Sequence, residues 1–277
     1  MMDSPSVQGP SRLVLRWAVL LALVLPAVAV LDAVAHGTGR QDRASGPWHA
    51  RTQALPGKPP LLDARWYPPL PAAAARGHDC PSPARVPRRH GRRGRRLVAL
   101  TFDDGPSPYT PGVLRTLRRH RAHATFFVVG IHIAGREATL RRVVAAGDEL
   151  GDHSWDHPPL PSHWEMRRTS DALGRVTGVR PCLFRPPYGL VDRRLLRSAT
   201  SLGMTTVGWD VDSSDWAGSR PKAIAAHVLR TVRPGSIVLM HDGGGIRVRT
   251  VRALGRILRG LRRRGYRTTT VSRLLRR

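Results

Sequence analysis

Cysteine is scarce in this sequence: the 277 residues contain only Cys80 and Cys182. The two form no Cys-x-x-Cys pair, which argues against a structural zinc site. In an exported chain they could form one disulfide. Two unrelated free thiols fit the sequence nearly as well, so both interpretations stay open at this point.

Acidic residues are also few. Asp and Glu number 19 against 46 Lys and Arg, almost all of them Arg, and the formal net charge is +27. A composition biased towards arginine accounts for most of this charge. The other interpretation is attraction to a polyanion, such as nucleic acid, anionic lipid or an acidic cell wall. Because arginine is spread through every segment and no zinc-finger, RNA-recognition or helix-turn-helix motif occurs, we expect no specific nucleic-acid partner.

The N-terminal stretch has the features of a targeting segment. Arg12 and Arg16 precede an apolar run without charge at residues 17–31. A positive flank before such a run is typical of a signal peptide or a membrane helix. Small residues after the run favour cleavage, whereas Asp32 and the length of the run leave an uncleaved anchor open. We therefore expect residues 1–35 to be a signal peptide or membrane anchor and the remainder to lie outside the cytoplasm.

Residues 36–96 are rich in Pro, Gly, Ala and Arg and show no sustained helical or strand period. This composition predicts a linker. The linker ends in RRHGRRGRR, residues 88–96, which we interpret as a solvated, disordered tether because of its six arginines. A catalytic domain is expected over residues 97–277.

From residue 97 onwards, short apolar runs alternate with helical patterns. Runs at 97–102, 124–130, 204–212 and 236–242 predict buried strands, and 247–264 predicts a long amphipathic helix. Strands that alternate with helices indicate βα units and a parallel sheet, either open or closed into a barrel. The pattern contains roughly seven such units.

Polar residues gather where the predicted strands end. In parallel α/β folds the carboxyl ends of the strands carry the functional side chains. Each of the candidate groups follows a different apolar run. The candidates are Asp103, Asp104, His153, His157, Arg185, Asp210, Asp212, Asp215, Trp216, His241 and Asp242.

His153 and His157 are spaced to hold one metal ion. On a helical turn, residues four apart lie on the same face. With a carboxylate from another strand end they would form a ligand set of two histidines and one carboxylate. That composition suits catalytic Zn²⁺, and also Co²⁺, Fe²⁺ or Ni²⁺.

Five short motifs occur in a specific order: TFDDGP, HSWDH, RPPYG, DSSDW and LMH. In order and spacing they resemble the motifs of the polysaccharide deacetylase family, carbohydrate esterase family 4, over about residues 97–277. The resemblance implies a distorted (β/α) barrel with about seven parallel strands. It also implies removal of N- or O-acetyl groups from chitin, peptidoglycan, other N-acetylglucosamine polymers or xylan.

The resemblance implies a base and a metal site. Asp103, the first aspartate of the pair, would be the general base, and Arg185 would hold it in place. Asp104, the second aspartate, would bind the metal together with His153 and His157.

It further implies an acid and a substrate pocket. Asp215 would tune His241, the general acid. The N–H of Tyr188 would help to bind the oxyanion, and Trp216 and Leu239 would form the apolar pocket for the acetyl methyl group.

We therefore expect an extracytoplasmic, metal-dependent deacetylase of N-acetylhexosamine-containing polysaccharide, acting as a monomer. Acetyl-xylan esterase is the alternative with the same chemistry. A glycan-binding domain without catalytic activity is another alternative, although such a domain has no need of a base beside a metal site. A membrane-tethered nucleic-acid-binding protein is a third alternative, to which salt-sensitive DNA binding without turnover would point.

Overall fold

The computed structural model describes residues 75–76, 80–84 and 86–276, all of which belong to one compact unit, Pro59–Arg277. The predicted span at residues 17–31 lies outside the described residues. Within the described part, no helix is both long and apolar enough to cross a membrane.

Ten strands and seven helices make up the described fold. The strands are β1 Ala75–Arg76, β2 Leu97–Gly105, β3 Thr125–Val128, β4 Glu149–Asp152, β5 Val179–Arg180, β6 Leu183–Phe184, β7 Thr205–Thr206, β8 Val211–Asp212, β9 Ile237–His241 and β10 Arg267–Thr269. The helices are α1 Thr110–His120, α2 Glu137–Ala145, α3 His163–Thr177, α4 Arg193–Ser201, α5 Pro221–Thr231, α6 Val248–Arg263 and α7 Val271–Arg276.

The main sheet is parallel and curled. Its strands follow the order β7-β6-β4-β3-β2-β9-β8, and β10 joins β2 as an eighth strand. Every pairing in this sheet is parallel. The prediction of a distorted (β/α) barrel with about seven parallel strands is confirmed. β1 pairs separately with β5.

The central strand β2 divides its side chains between two environments. Val98, Leu100 and Phe102 pack into the larger apolar cluster, which includes residues of helices α1, α2, α3, α5 and α6. Ala99 joins the second cluster with residues of β3, β6 and β9. Because strand residues alternate between faces, Thr101 and Asp103 share the face of Ala99. Asp103 therefore points into the barrel at its carboxyl end.

Helix α6 packs on the barrel through one apolar face. Leu254, Leu258 and Leu261 are buried along one face, as the helical period predicts. Full burial of such a side chain contributes about 1.5–3 kcal/mol. Arginines occupy much of the opposite face, so the helix is anchored through its apolar stripe.

The arginine-rich segment before β2 is part of the folded unit. Arg88 N–H donates to the Thr206 carbonyl at 2.9 Å, and the Arg88 carbonyl accepts from Gly208 N–H at 2.9 Å. Gly91 N–H donates to the Gly235 carbonyl at 2.8 Å. The interpretation of residues 88–96 as a disordered tether is therefore wrong. The backbone of this segment bonds to the β7 edge of the sheet and to the turn just before β9, while its arginine side chains face solvent.

A disulfide joins Cys80 to Cys182, which resolves the alternative that the sequence left open. Cys182 lies immediately before β6, so the bond ties the chain ahead of the barrel to the start of an inner strand. We call the described residues 80–84 and 86–91 the leading segment.

Candidate active site and metal centre

The end of β2 places the two aspartates in different surroundings. Asp103 is still in the ladder, opposite His241 on β9 and Phe127 on β3, and the register shifts between Asp103 and Gly105. Asp104 has φ 72°, a left-handed conformation that turns its side chain away from the strand direction. The adjacent carboxylates therefore face different partners.

Asp104, His153 and His157 form the candidate cation cluster. Asp104 Oδ1 lies 3.5 Å from His153 Nε2 and 3.3 Å from His157 Nε2, and the ligand atoms of all three residues fall within 4.8 Å of one another. Asp104 Oδ1 is buried, and no group of the described residues donates a hydrogen bond to it. Two imidazole nitrogens facing a buried carboxylate oxygen that lacks a donor fit a divalent cation.

The histidines reach this position without a helix. The chain from His153 to His157 is a loop after β4, with φ 71° at Ser154 and φ 66° at His157. Ser154 Oγ accepts from His157 N–H at 3.1 Å and fixes the turn. The expected single helical turn is wrong, although the two rings do meet, because two left-handed residues fold the loop back on itself.

A backbone carbonyl orients His153. Its Nδ1 lies 2.7 Å from the carbonyl oxygen of Arg185, so the N–H is on Nδ1 and the lone pair of Nε2 faces Asp104. A hydrogen bond of this kind is typical of metal-binding histidines.

The pKa of Asp104 is held well below its ordinary range. Burial by itself raises the pKa, but the imidazoles of His153 and His157 that face the carboxylate outweigh it. The carboxylate is therefore ionised over the whole physiological range, as a metal ligand must be.

Asp103 is held by a buried arginine. Arg185 Nη1 donates to Asp103 Oδ1 at 2.8 Å, and the Arg185 side chain is 0% exposed. The same Nη1 donates to Thr101 Oγ1 at 2.6 Å. The guanidinium also lies over the Phe127 ring, 4.1 Å from its centroid. Because a buried arginine loses water on all sides, these partners fix its position and that of Asp103.

His241 is paired with a buried carboxylate. Its Nδ1 lies 2.7 Å from Asp215 Oδ1, and its backbone N–H donates to Asp215 Oδ2 at 2.9 Å. Thr250 Oγ1 donates to the same Oδ2 at 2.7 Å. Burial lowers the pKa of His241, but the hydrogen bond and charge of Asp215 outweigh this and raise it above its ordinary value. The imidazole therefore keeps its proton to higher pH than a free histidine does.

An aromatic rim surrounds the cavity, whose volume is about 390 Å³. Tyr188 and Trp216 are 66% and 59% exposed, and Leu239 is buried at the cavity wall. The ring of Tyr188 contacts His157 edge to face, with centroids 4.8 Å apart. Of the ten residues to which the family resemblance assigns a role, all except Arg185 and Asp215 line this cavity, and those two contact lining residues from behind.

Glycines close the loop after β9 over Asp104. A Cβ at Gly243 would collide with the Asp104 backbone carbonyl, and one at Gly244 would collide with its Oδ2. Arg247 donates from Nε to the Gly243 carbonyl at 2.6 Å and from Nη2 to the Gly244 carbonyl at 2.9 Å. Arg247 lines the cavity and was missed by sequence reasoning, because no motif marks it.

Other strand-end residues have different positions from those expected. Asp210 accepts from Ile237 N–H at 2.8 Å and contacts Arg93 at 3.1 Å, so it braces the start of β9. Asp242 is buried against Thr110, and burial raises its pKa to about 7. Trp209, which the sequence analysis did not single out, does line the cavity.

The fold and the site together define a class of protein. It is a parallel α/β barrel that carries a two-histidine, one-carboxylate cluster, an arginine-held carboxylate and a carboxylate-held histidine at the carboxyl ends of its strands. Cation-assisted hydrolysis uses groups of these kinds, namely ligands for a metal ion, a carboxylate base and a histidine acid.

Comparison with known proteins identifies the family of this chain. A family model described as polysaccharide deacetylase matches residues 90–207. A peptidoglycan-N-acetylglucosamine deacetylase of Bacillus cereus is 39% identical over 189 residues, which are 65% of this chain and 89% of that protein. A chitooligosaccharide deacetylase of a Bradyrhizobium species is 39% identical over 192 residues, or 62% of this chain and 88% of that protein. A crystal structure of a peptidoglycan N-acetylglucosamine deacetylase superposes with a TM-score of 0.66 at 33% identity, covering 68% of this chain and 92% of that one. The chain belongs to the polysaccharide deacetylase family.

Proposed function

We propose that this protein removes acetyl groups from an N-acetylhexosamine-containing polysaccharide, peptidoglycan or a chitin-like polymer, with a divalent cation at Asp104, His153 and His157. The observation that carries the proposal is the meeting of three units in one cavity. These units are the cation cluster, the Asp103–Arg185 pair and the His241–Asp215 pair. Zn²⁺ is the cation that this ligand set suits best, and Co²⁺, Fe²⁺ or Ni²⁺ also fit.

The side chains divide the work of hydrolysis between them. When bound, the cation supplies Lewis acidity to the acetyl carbonyl and the attacking water. Asp103 accepts the proton of that water, while Arg185 keeps the carboxylate in position. Protonated His241 donates a proton to the departing amine.

The cavity wall would hold the acetyl group for this reaction. The N–H of Tyr188 is the proposed donor to the oxyanion, and a fixed backbone donor of this type lowers the barrier to acyl transfer. Trp216 and Leu239 flank the space for the methyl group. The sugar rings can stack on the exposed faces of Tyr188 and Trp216.

Acetate release tests the proposal directly. The full-length protein, loaded with Zn²⁺, is expected to release acetate from peptidoglycan or chitin oligomers, and a chelator should stop the release until metal is restored. Preferential release from acetyl-xylan would instead support the esterase alternative. Glycan binding without acetate release from any substrate in the panel would support the glycan-binding domain without catalytic activity.

We also propose that the barrel works outside the cytoplasm. The supporting observations are the basic flank and apolar run at the N-terminus and the Cys80–Cys182 disulfide, since structural disulfides persist in oxidising compartments. A reporter that works only in the cytoplasm, fused after Arg277, is expected to be inactive in cells. The same fusion without residues 1–35 is the control and should be active. Equal activity of the two fusions would contradict this topology.

A further inference from the structure

The leading segment pairs with the strand at one end of the main sheet. Thr205 Oγ1 lies 3.4 Å from the Pro81 carbonyl oxygen and 3.2 Å from that of Ser82, and it can donate to either. Further along, Arg88 exchanges backbone hydrogen bonds with Thr206 and Gly208 on both sides of Val207. Since β7 ends the strand order of the sheet, the leading segment covers an edge that the barrel would otherwise leave open.

The residues just before β9 anchor the same segment. His90 bridges to Ser236, and Gly91 N–H donates to the Gly235 carbonyl, just before β9. The segment therefore spans from the β7 edge to the start of β9. It acts as a seam between them, which the Cys80–Cys182 disulfide fastens at its beginning.

The strand that this seam holds also supports the buried arginine. Arg185 Nε lies 3.4 Å from the Val207 carbonyl oxygen, and Nη2 donates to the Gly208 carbonyl at 3.0 Å. Both acceptors lie in the stretch that Arg88 flanks. A shift of this stretch would move the acceptors of the guanidinium, and Nη1 of that guanidinium holds Asp103.

The disulfide constrains the backbone that leads into Arg185. Cys182 lies three residues before Arg185, with only Leu183 and Phe184 of β6 between them. The Cys182 carbonyl accepts from Thr205 N–H at 2.8 Å, and the Phe184 carbonyl accepts from Val207 N–H at 2.8 Å. The disulfide is thus next to β6, which leads into Arg185, and the leading segment bonds to the stretch after β7 that accepts from the Arg185 guanidinium.

We propose that the leading segment and its disulfide are a positioning element for catalysis: they set the Arg185 guanidinium and, through it, the carboxylate of Asp103. Residues 80–89 lie ahead of the part that the family model matches. The inference rests on the proposed function for its kinetic consequence, but its structural consequence can be measured without any turnover.

Two variants test the proposal in the full-length protein loaded with Zn²⁺. Arg88→Pro removes the N–H that donates to Thr206 and keeps the disulfide, and Cys80→Ser with Cys182→Ser removes the disulfide and keeps that N–H. Arg89→Pro is the matched control, because it also replaces an exposed arginine of the leading segment by proline but keeps both backbone bonds of Arg88. The structural readout is the NMR signal of the Arg185 Nε–H, assigned by its loss in Arg185→Lys.

In both test variants we expect faster solvent exchange of the Arg185 Nε–H and a fall in kcat of between about tenfold and 100-fold, with KM and zinc content unchanged. Arg89→Pro should match the wild type in all four quantities. A folded Arg88→Pro protein with an unchanged Nε–H signal and a kcat within about twofold of wild type would overturn the proposal. If the cysteine variant fails to fold, the Arg88→Pro result decides. If the wild type releases no acetate, the proposed function fails, and the exchange rate alone decides whether the seam holds Arg185.

Discussion

Substitution of the two adjacent aspartates is expected to give opposite results for metal content. Asp104→Ala removes one of the three proposed protein ligands, so zinc should be lost, and excess metal should restore part of the activity. Asp103→Asn keeps a side chain of the same shape against Arg185 but cannot accept a proton. It should retain zinc and lose turnover by about 10²–10⁴-fold, the usual contribution of a general base.

The measurement is zinc stoichiometry and acetate release for both variants side by side. Asp156→Asn is the matched control, because Asp156 is an exposed carboxylate in the loop between the two histidines and should keep both quantities. Asp103→Asn leaves Arg185 buried without its full counter-charge, so the melting temperature must show that the variant is folded at the assay temperature. Equal zinc loss in the two aspartate variants, or near-normal turnover in Asp103→Asn, would contradict the assignment of base and ligand.

His241→Ala is expected to lower kcat by about 10²–10⁴-fold without loss of zinc, because the proton for the departing amine would have no donor. His241 lies beside the cation cluster and is not one of its three members, so metal binding should survive. Wild-type acetate release by His241→Ala would show that another group supplies the proton.

Asp215→Asn tests how the acid is tuned. Asp215 raises the pKa of His241 through a hydrogen bond and through its charge, so removal of the charge should lower that pKa. An acid must be protonated to act, and kcat falls as pH rises through its pKa. The alkaline limb of the kcat profile should therefore move to lower pH in Asp215→Asn. An unmoved limb would mean that His241 does not set it.

The sequence could predict the parts of the site that depend on side-chain chemistry. The alternation along β2 places Asp103 inside the barrel, and the strand-end rule finds His153, Arg185 and His241. The same rule also selects Asp210, which instead accepts a hydrogen bond at the start of β9. The rule predicts where a residue lies but not what the residue does there.

The seam could not be predicted, for a physical reason. The arginine-rich composition of residues 88–96 predicts a solvated segment, because composition describes side chains and these side chains are indeed exposed to solvent. The contacts that order the segment are made by the backbone of Arg88 and Gly91, and every residue except proline carries the same donor and acceptor. The position of such contacts depends on which sheet edge is left open, which only the assembled fold shows.

Left-handed backbone is concentrated at the mouth of this barrel. Of the six non-glycine residues with positive φ in the described chain, five lie in or beside the cavity: Asp104, Ser154, His157, Tyr188 and Ser214. Each such residue costs the native state up to about 1–2 kcal/mol relative to ordinary backbone. A laboratory selection for heat resistance alone would therefore favour relaxed backbones at these positions before it touched the core. Thermostable variants obtained in that way would keep the barrel but lose the geometry of the cavity. A selection for stability must therefore also select for catalytic activity.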